Sequence, residues 1–266
     1  MGTKSMNAAP KSGEHFLSFD GKNAYVNIPS LPCYSVDYTG EFTVAAWIRA
    51  DIEDFTRTED GKPYVHWMGK GEGNHIGGTQ EWTCRMYSLH TPGVCPARPQ
   101  RTSFYVFNPQ GGYGVGSYVQ ESVQPGTWRL IVGMADRTRT YLYCNGVPKG
   151  CSTYRGPAVE GCQIMQDPKT GQQVVINPLH GPSPVRIGAQ EIDESSGRFM
   201  GGITKVRIWN RLLTGDEIVS LYTHDIAPRD WLAGEFLLNE GRGTLALDTG
   251  YVNHGAIHGA SWAIQE

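Results

Sequence analysis

The strongest constraint on how this chain can fold is a short alternation of apolar and polar residues that recurs from end to end. It occurs in HFLSF (15–19), AYVNI (24–28), FTVAAWIRA (42–50), TSFYVF (102–107), TWRLIVGMA (127–135), TYLYCNG (140–146), SPVRIGA (183–189) and ITKVRIWN (203–210). Each run has strand length and is bounded by Gly, Pro, Asn or Asp, so one side of each faces a core and the other side does not. Asn145-Gly146 marks a hairpin, because both residues accept positive φ. A single short helix is predicted from Thr214 to about Tyr222, where Thr214 acts as N-cap and Glu217, three residues on, completes a capping box. With 34 Gly, 16 Pro and 11% aromatics in 266 residues, the pattern predicts an all-β sandwich of two antiparallel sheets. Domains of this class run to such lengths undivided, so residues 14–266 read as one domain.

Charge and hydropathy narrow the partners. The charged fraction is 18% and the formal net charge -3, which favours neither nucleic acid nor an anionic membrane. No apolar stretch approaches the ~20 residues that span a bilayer. The start, MGTKSMNAAPKSG, lacks the apolar core of a signal peptide and reads as a disordered cloning remnant over residues 1–13. The six cysteines, Cys33, Cys84, Cys95, Cys144, Cys151 and Cys162, show no zinc-type spacing, and their even number favours disulfides and hence a secreted, extracellular protein. The preferred pairs are Cys84–Cys95, closing a local loop, and Cys144–Cys151, flanking the turn CNGVPKGC; Cys33–Cys162 follows by exclusion. Six buried thiols in a reducing compartment are the alternative.

Residues 64–121 are dense in aromatic and hydrogen-bonding side chains: YVHWMGKGEGN, QEWTCRMYSLH, RTSFYVFN and GGYGVGSYVQE. Consecutive strands are usually neighbours, so alternate positions of each share a face. Glu81, Thr83, Arg85 and Tyr87 fall on one face of the second segment, with Trp82, Cys84 and Met86 on the core side. His66, Tyr105, Tyr118 and Gln120 join the first set and define a candidate ligand-binding groove. Rings stack on the apolar faces of pyranoses, while charged and amide groups bind hydroxyls in fixed directions, so the predicted partner is a glycan or polysaccharide. A buried Glu81–Arg85 ion pair that only satisfies charge is the competing reading. No GxSxG, HExxH or GxxxxGK[ST] occurs.

FLSFDGKNAYVNIPS, GEFTVAAWIRAD, TWRLIVGMADRTRTYLYCNG, SPVRIGAQ and FMGGITKVRIWNRLLTGDEIVSLY together resemble the laminin-G-like domains of the concanavalin A-like lectin and glucanase superfamily, over roughly residues 14–225. The resemblance implies a jelly-roll sandwich with one concave sheet. Trp47 and Trp209 then read as packing residues, and Arg207 and Arg211 as partners of carboxylates. The segment GEFLLNEGRGTLALDTGYVNHGAIHGASW (234–262) looks like the stretch that usually opens such a domain. It is expected to complete the same sandwich as permuted strands over 231–266, rather than begin a second, truncated module with bare edges.

The superfamily's retaining glycosidases carry two carboxylates on one strand, ExDxxE, about 5 Å apart; that pattern is absent. A closer likeness is to alginate-lyase-like enzymes. GVGSYVQ supplies Gly116, Tyr118 and Gln120 in their GxYxQ spacing, but their lysine and QIH or QVH elements are missing. On that reading Tyr118 would transfer protons, with Arg85 or His66 helping against a uronic-acid polymer. Related domains also hold a structural calcium near a DxSGxxNxG stretch. DTGYVNHG offers Asp248 and Asn253, with Asp20 as a third ligand, while an Asx-turn explains the same residues without a metal. Three functional readings therefore stand: a lectin-like binding module, which is favoured, a polysaccharide lyase, and a protein-interaction or spacer module.

Overall fold

A computed structural model describes residues 7–55, 62–73, 78–91, 93, 97–108, 114–192 and 197–266. In chain order its strands are β1 (His15–Asp20), β2 (Tyr25–Ile28), β3 (Phe42–Ala50), β4 (Tyr64–Lys70), β5 (Trp82–Tyr87), β6 (Arg101–Val106), β7 (Val115–Gln120), β8 (Arg129–Ala135), β9 (Arg139–Cys144), β10 (Val147–Thr153), β11 (Gln163–Ile164), β12 (Val185–Ile187) and β13 (Met200–Trp209). Helix α1 (Gly215–His224) follows, then β14 (Leu232–Phe236), β15 (Leu245–Ala246), β16 (Gly255–His258) and β17 (Ser261–Ile264). One sheet runs β11-β10-β9-β8-β3-β13-β1-β17, with β14 also on β13; the other runs β15-β16-β2-β12-β4-β5-β6-β7. Nearly all pairings are antiparallel, and β10–β11 is parallel. No helix among the described residues is long and apolar enough to cross a membrane.

The main core lies between the sheets and takes every second residue of their strands. From β4–β7 it receives Val65, Trp67, Met68, Trp82, Cys84, Met86, Phe104, Val106, Val115 and Val119; from the other sheet it receives Leu17, Phe19, Val44, Ala46, Ile48, Ile131, Leu142 and Ile203, among others. A second apolar layer forms on the back of the larger sheet. There Ala45, Trp47, Leu130, Val132, Met134 and Trp209 pack against Ile218 and Leu221 of α1. The helix starts as its sequence dictates: Thr214 Oγ1 accepts from the Glu217 amide, and the Glu217 carboxylate accepts from the Thr214 amide at 2.8 Å. It runs two residues past Tyr222 and stops at Asp225, whose φ of 57° breaks the helical turn.

Residues 7–13 differ from the expectation of a disordered leader. Ala8 is buried in the layer beside α1, its amide donates to the Tyr222 carbonyl at 2.7 Å, and its carbonyl accepts from Lys205 Nζ at 2.9 Å. A small apolar residue fills the gap at the helix edge, and that contact holds the segment.

Residues 231–266 enter both sheets. β14 pairs with β13, β16 with β2, and β17 with β1. At β14, Glu235 Oε1 accepts from Arg207 Nε at 2.8 Å, while Oε2 accepts from Arg229 Nη1 and Thr249 Oγ1, each at 2.6 Å. Burial pushes this carboxyl up, but the hydrogen bonds from Thr249, Arg207 and Arg229 outweigh it and hold the group at about 2. Arg207 also meets Asp225, and Arg211 bridges Glu217 and Asp230.

The cysteine pairing is corrected. Cys151 bonds to Cys162, and Cys33, Cys84 and Cys144 are free thiols. The two-residue turn Asn145-Gly146, at φ 52° and 81°, sets Cys144 opposite Val147, while Cys151 lies opposite Tyr141. Cys144 and Cys151 therefore never face each other. The parallel pairing of β10 with β11 instead sets Ser152 beside Gln163, which brings Cys151 and Cys162 to a Cα separation of 4.5 Å. That bond excludes Cys33–Cys162. Cys84 faces the main core as a fully buried thiol, and its expected partner Cys95 lies outside the described residues.

Deleting residues 231–266 would strip β1, β2 and β13 of neighbours and leave Arg207 without Glu235. The expected result is aggregation or a markedly lower melting midpoint; a soluble remainder with an unchanged midpoint would show that these strands are dispensable.

Candidate functional site

β4–β7 are neighbours in chain order, so their register decides which side chains meet. His66 lies opposite Arg85, Arg85 opposite Ser103, and Ser103 opposite Tyr118, a row that crosses all four strands. Tyr64 pairs with Tyr87, Thr83 with Tyr105, and Arg101 with Gln120. All lie on the face turned away from the inter-sheet core, because the alternate positions are held there by Trp82, Cys84, Phe104 and Val119. A bulge between His66 and Met68 lets Trp67 and Met68 both enter the core. Gly116 is required by the packing of this face. A Cβ there would come within 2.3 Å of the Phe104 carbonyl and 2.4 Å of the Tyr105 ring, so Tyr105 can cross β7 only above a glycine.

Three arginines sit among these rings. The Arg85 guanidinium lies 4.7 Å from the ring centre of Tyr64, 5.2 Å from Tyr105 and 5.1 Å from Phe107, and its Nη2 donates to Gln80 Oε1 at 3.3 Å. Arg101 lies 3.6 Å over Tyr118 and donates to Gln120 Oε1 at 3.0 Å; Arg98 donates to the Tyr87 hydroxyl at 3.1 Å. Arg85 and Arg101 are each 6% exposed, and the Nε atoms of all three arginines are buried without a hydrogen-bond partner. Among the described residues none of the three meets a carboxylate. Burial pushes the Tyr105 phenol up, with Tyr87 adding to it, while Arg85, Arg98 and Arg101 pull it down, so all three guanidiniums act on this one ring. His66, 1% exposed, is held neutral, well below the usual imidazole range, by burial and then by Arg85, and its Nδ1 lies 2.6 Å from Thr83 Oγ1.

A family model described as the concanavalin A-like lectin/glucanases superfamily, of laminin G type, matches residues 20–219. The chain belongs to this superfamily. Solved structures share the fold. A candidate carbohydrate-binding protein from Bacteroides ovatus aligns at 17% identity and TM-score 0.61, over 97% of this chain and 61% of that one. The heptameric SAP-like pentraxin of Limulus polyphemus aligns at 14% and 0.53, over 95% and 96%. This chain thus spans under two thirds of the Bacteroides protein. No curated protein matches it.

Within this laminin-G-type sandwich most of the expected groove residues share one face, and Glu81 does not join them. Its Oε1 accepts from Lys70 Nζ and, at 2.8 Å, from the Gly181 amide, while Lys70 also donates to the Gly181 carbonyl at 2.6 Å. The buried ion pair is therefore real, but its cation is Lys70, not Arg85. Burial pulls the Lys70 ammonium down and Glu81 props it up. The strict alternation that put Glu81 beside Arg85 holds only from Trp82, where β5 begins, and Gln80 takes the position at Arg85 instead. Tyr87 is 3% exposed and lies beneath Arg98, whereas Gln120 is open to solvent and Tyr118 half-buried. Sequence reasoning missed Tyr64, Gln80, Arg98 and Arg101. Extending the alternation of TSFYVF by one residue toward the N-terminus would have found Arg101.

The residues expected to serve a lyase are not gathered about one atom. His66 and Tyr118 are three strand spacings apart, about 14 Å between backbones. The Tyr118 hydroxyl accepts from Gln163 Nε2 at 3.3 Å, at the edge of the sheet, and His66 is engaged by Thr83.

The expected calcium ligands do not fit a calcium site. Asp20 Oδ1 accepts from the amides of Lys22, Asn23 and Ala24, and both Asp248 oxygens are taken by the amides of Glu235, Gly250, Tyr251 and Asn253. Asn253 Nδ2 donates to the Pro29 carbonyl and the Tyr34 hydroxyl. These are turn-closing carboxylates with their lone pairs directed at backbone N–H groups, not at a shared centre. Among the described residues no group of three or more His, Cys, Asp or Glu is arranged to hold a metal.

Replacing one member of the Lys70–Glu81 pair leaves the other buried and unpaired. Glu81→Gln is expected to lower unfolding stability by ~3–5 kcal/mol, and Lys70→Met with Glu81→Leu to recover most of it. Urea unfolding of the parent protein and the two variants measures both, and a loss below ~1 kcal/mol for Glu81→Gln would mean the pair is not desolvated.

Proposed function

We propose that the chain is a carbohydrate-binding module that takes its glycan on the outer face of β4–β7. One observation carries this reading: four neighbouring strands present Tyr64, Tyr87, Tyr105 and Tyr118 together with Arg85, Arg101 and Gln120 on a single face. The half-buried Tyr118 ring supplies an apolar platform for a pyranose face, the buried Tyr64, Tyr87 and Tyr105 rings hold the arginines in place, and the guanidinium and amide groups supply directional donors. The accessible entry is the β6–β7 side, where Tyr118 is half-buried and Gln120 exposed, and the interior is preformed by packing, which limits the ordering needed on binding. The Bacteroides neighbour of the same fold is described as a candidate carbohydrate-binding protein, which is consistent with this use of the face.

A glycan array with the intact protein tests the proposal. Binding to at least one glycan class is expected, and Tyr118→Ala should weaken it about tenfold without lowering the melting midpoint. An array without any bound glycan would favour a spacer or protein-contact role instead.

We further propose an extracellular, oxidising setting. The Cys151–Cys162 bond supports it, since such bonds persist where thiols are not kept reduced. Thiol titration of denatured, unreduced protein is expected to find no more than four of the six cysteines free (six minus the bonded pair); six free thiols would sink this assignment.

A further inference from the structure

Among the described residues, the arginines of the outer face lack the carboxylate partners that Lys70, Arg207, Arg129 and Arg186 have. Lys70 has Glu81, Arg207 has Glu235 and Asp225, Arg129 has Glu121, and Arg186 has Glu72. Arg85, Arg98 and Arg101 have aromatic rings, amide oxygens and a phenol, and no carboxylate among the described residues. Burial pulls the Arg101 guanidinium down, the neighbouring Tyr105 and Tyr118 phenols prop it up, and Arg98, a second cation, pulls it down further. A guanidinium does not shed its proton to escape burial. Two cations more than nine-tenths buried, with a third beside them and a buried Nε on each left unpartnered, form a site that lacks an anion among the described residues.

We infer that the glycan of this face is acidic, with a carboxylate or sulfate group bound by Arg85, Arg98 and Arg101 around Tyr105. The inference deepens the glycan-binding reading and rests on it. Guanidinium forks match the planar oxygens of a carboxylate and the tripod of a sulfate, and such charge-assisted bonds are about twice as strong as neutral ones. The rings of Tyr64, Tyr105 and Phe107 fix the plane of Arg85 and the ring of Tyr118 fixes that of Arg101, so little side-chain freedom is lost when the anion arrives. Gln120 and Tyr118, at the accessible edge, remain available for hydroxyls of the same sugar or its neighbour.

The test is titration calorimetry of the intact protein against three polymers: polygalacturonate as the carboxylate arm, a sulfated galactan as the sulfate arm, and a neutral galactan of similar length. Binding is expected in at least one acidic arm, with affinity at least about tenfold above the neutral arm, and falling as sodium chloride is raised. Arg98→Gln, at a half-exposed position, and Arg101→Gln should each weaken the acidic arm about tenfold or more. If Arg101→Gln fails to fold, Arg98→Gln with the salt series decides. Equal affinity for the neutral polymer, lost in Tyr118→Ala but unchanged in Arg98→Gln, would overturn the acidic assignment and leave the glycan-binding reading standing. Failure of all arms, together with an empty glycan array, would remove both.

Discussion

The two-residue period of β4–β7 is the constraint on which the rest of the molecule depends. Trp67, Met68, Trp82, Cys84, Phe104 and Val106 bury one face of these strands against the larger sheet, and a large buried side chain contributes about 1.5–3 kcal/mol relative to exposure. A slip of one residue in any strand would expose that set and bury its neighbours, so register is strongly specified. The outer face inherits its order from this. His66, Arg85, Ser103 and Tyr118 form a row because the residues between them are fastened into the core, and no interaction on the outer face is needed to align them.

Buried charge is handled in two ways in the same sandwich. At β14 every oxygen of Glu235 is engaged by Arg207, Arg229 and Thr249, and at the end of β4 Lys70 pairs with Glu81 Oε1 while both side chains also bond to Gly181. Desolvating an ion costs several kcal/mol, and only a close opposite charge with good hydrogen bonds offsets it. On the outer face the offset comes instead from rings, worth roughly 0.5–2 kcal/mol per cation–π contact. That is less than a carboxylate would give. A structural need for charge neutrality would have placed an acid there, as it did beside Lys70, Arg129, Arg186 and Arg207. Among the described residues, that shortfall is what the proposed acidic glycan would make good.

Much of the fold was legible in the sequence. Alternation located the strands named from HFLSF to ITKVRIWN, Asn145-Gly146 located the hairpin, and Thr214 with Glu217 located the helix start, since each of these signals is local and acts through backbone geometry. Trp82 was read to the core by the same alternation and is fully buried. Glu81 was misread because its strand partner's end, not its own periodicity, decides its direction: Lys70 and Gly181, 11 and 100 residues away, draw the carboxylate off the shared face. Arg98 lies before β6 with no alternation to reveal it. The turn carboxylates Asp20 and Asp248 carry the residue types of a metal site, and only the coordinates show that backbone amides already occupy them.

By itself the sequence determined the class of fold, the period of each strand and the turn and cap chemistry, because these follow from interactions spanning a few residues. Tertiary structure alone decided which cysteines bond, which cation answers Glu81, and that Arg85, Arg98 and Arg101 surround Tyr105. Those outcomes depend on inter-strand register and sheet order, which bring together residues whose separation along the chain carries no information about their separation in space.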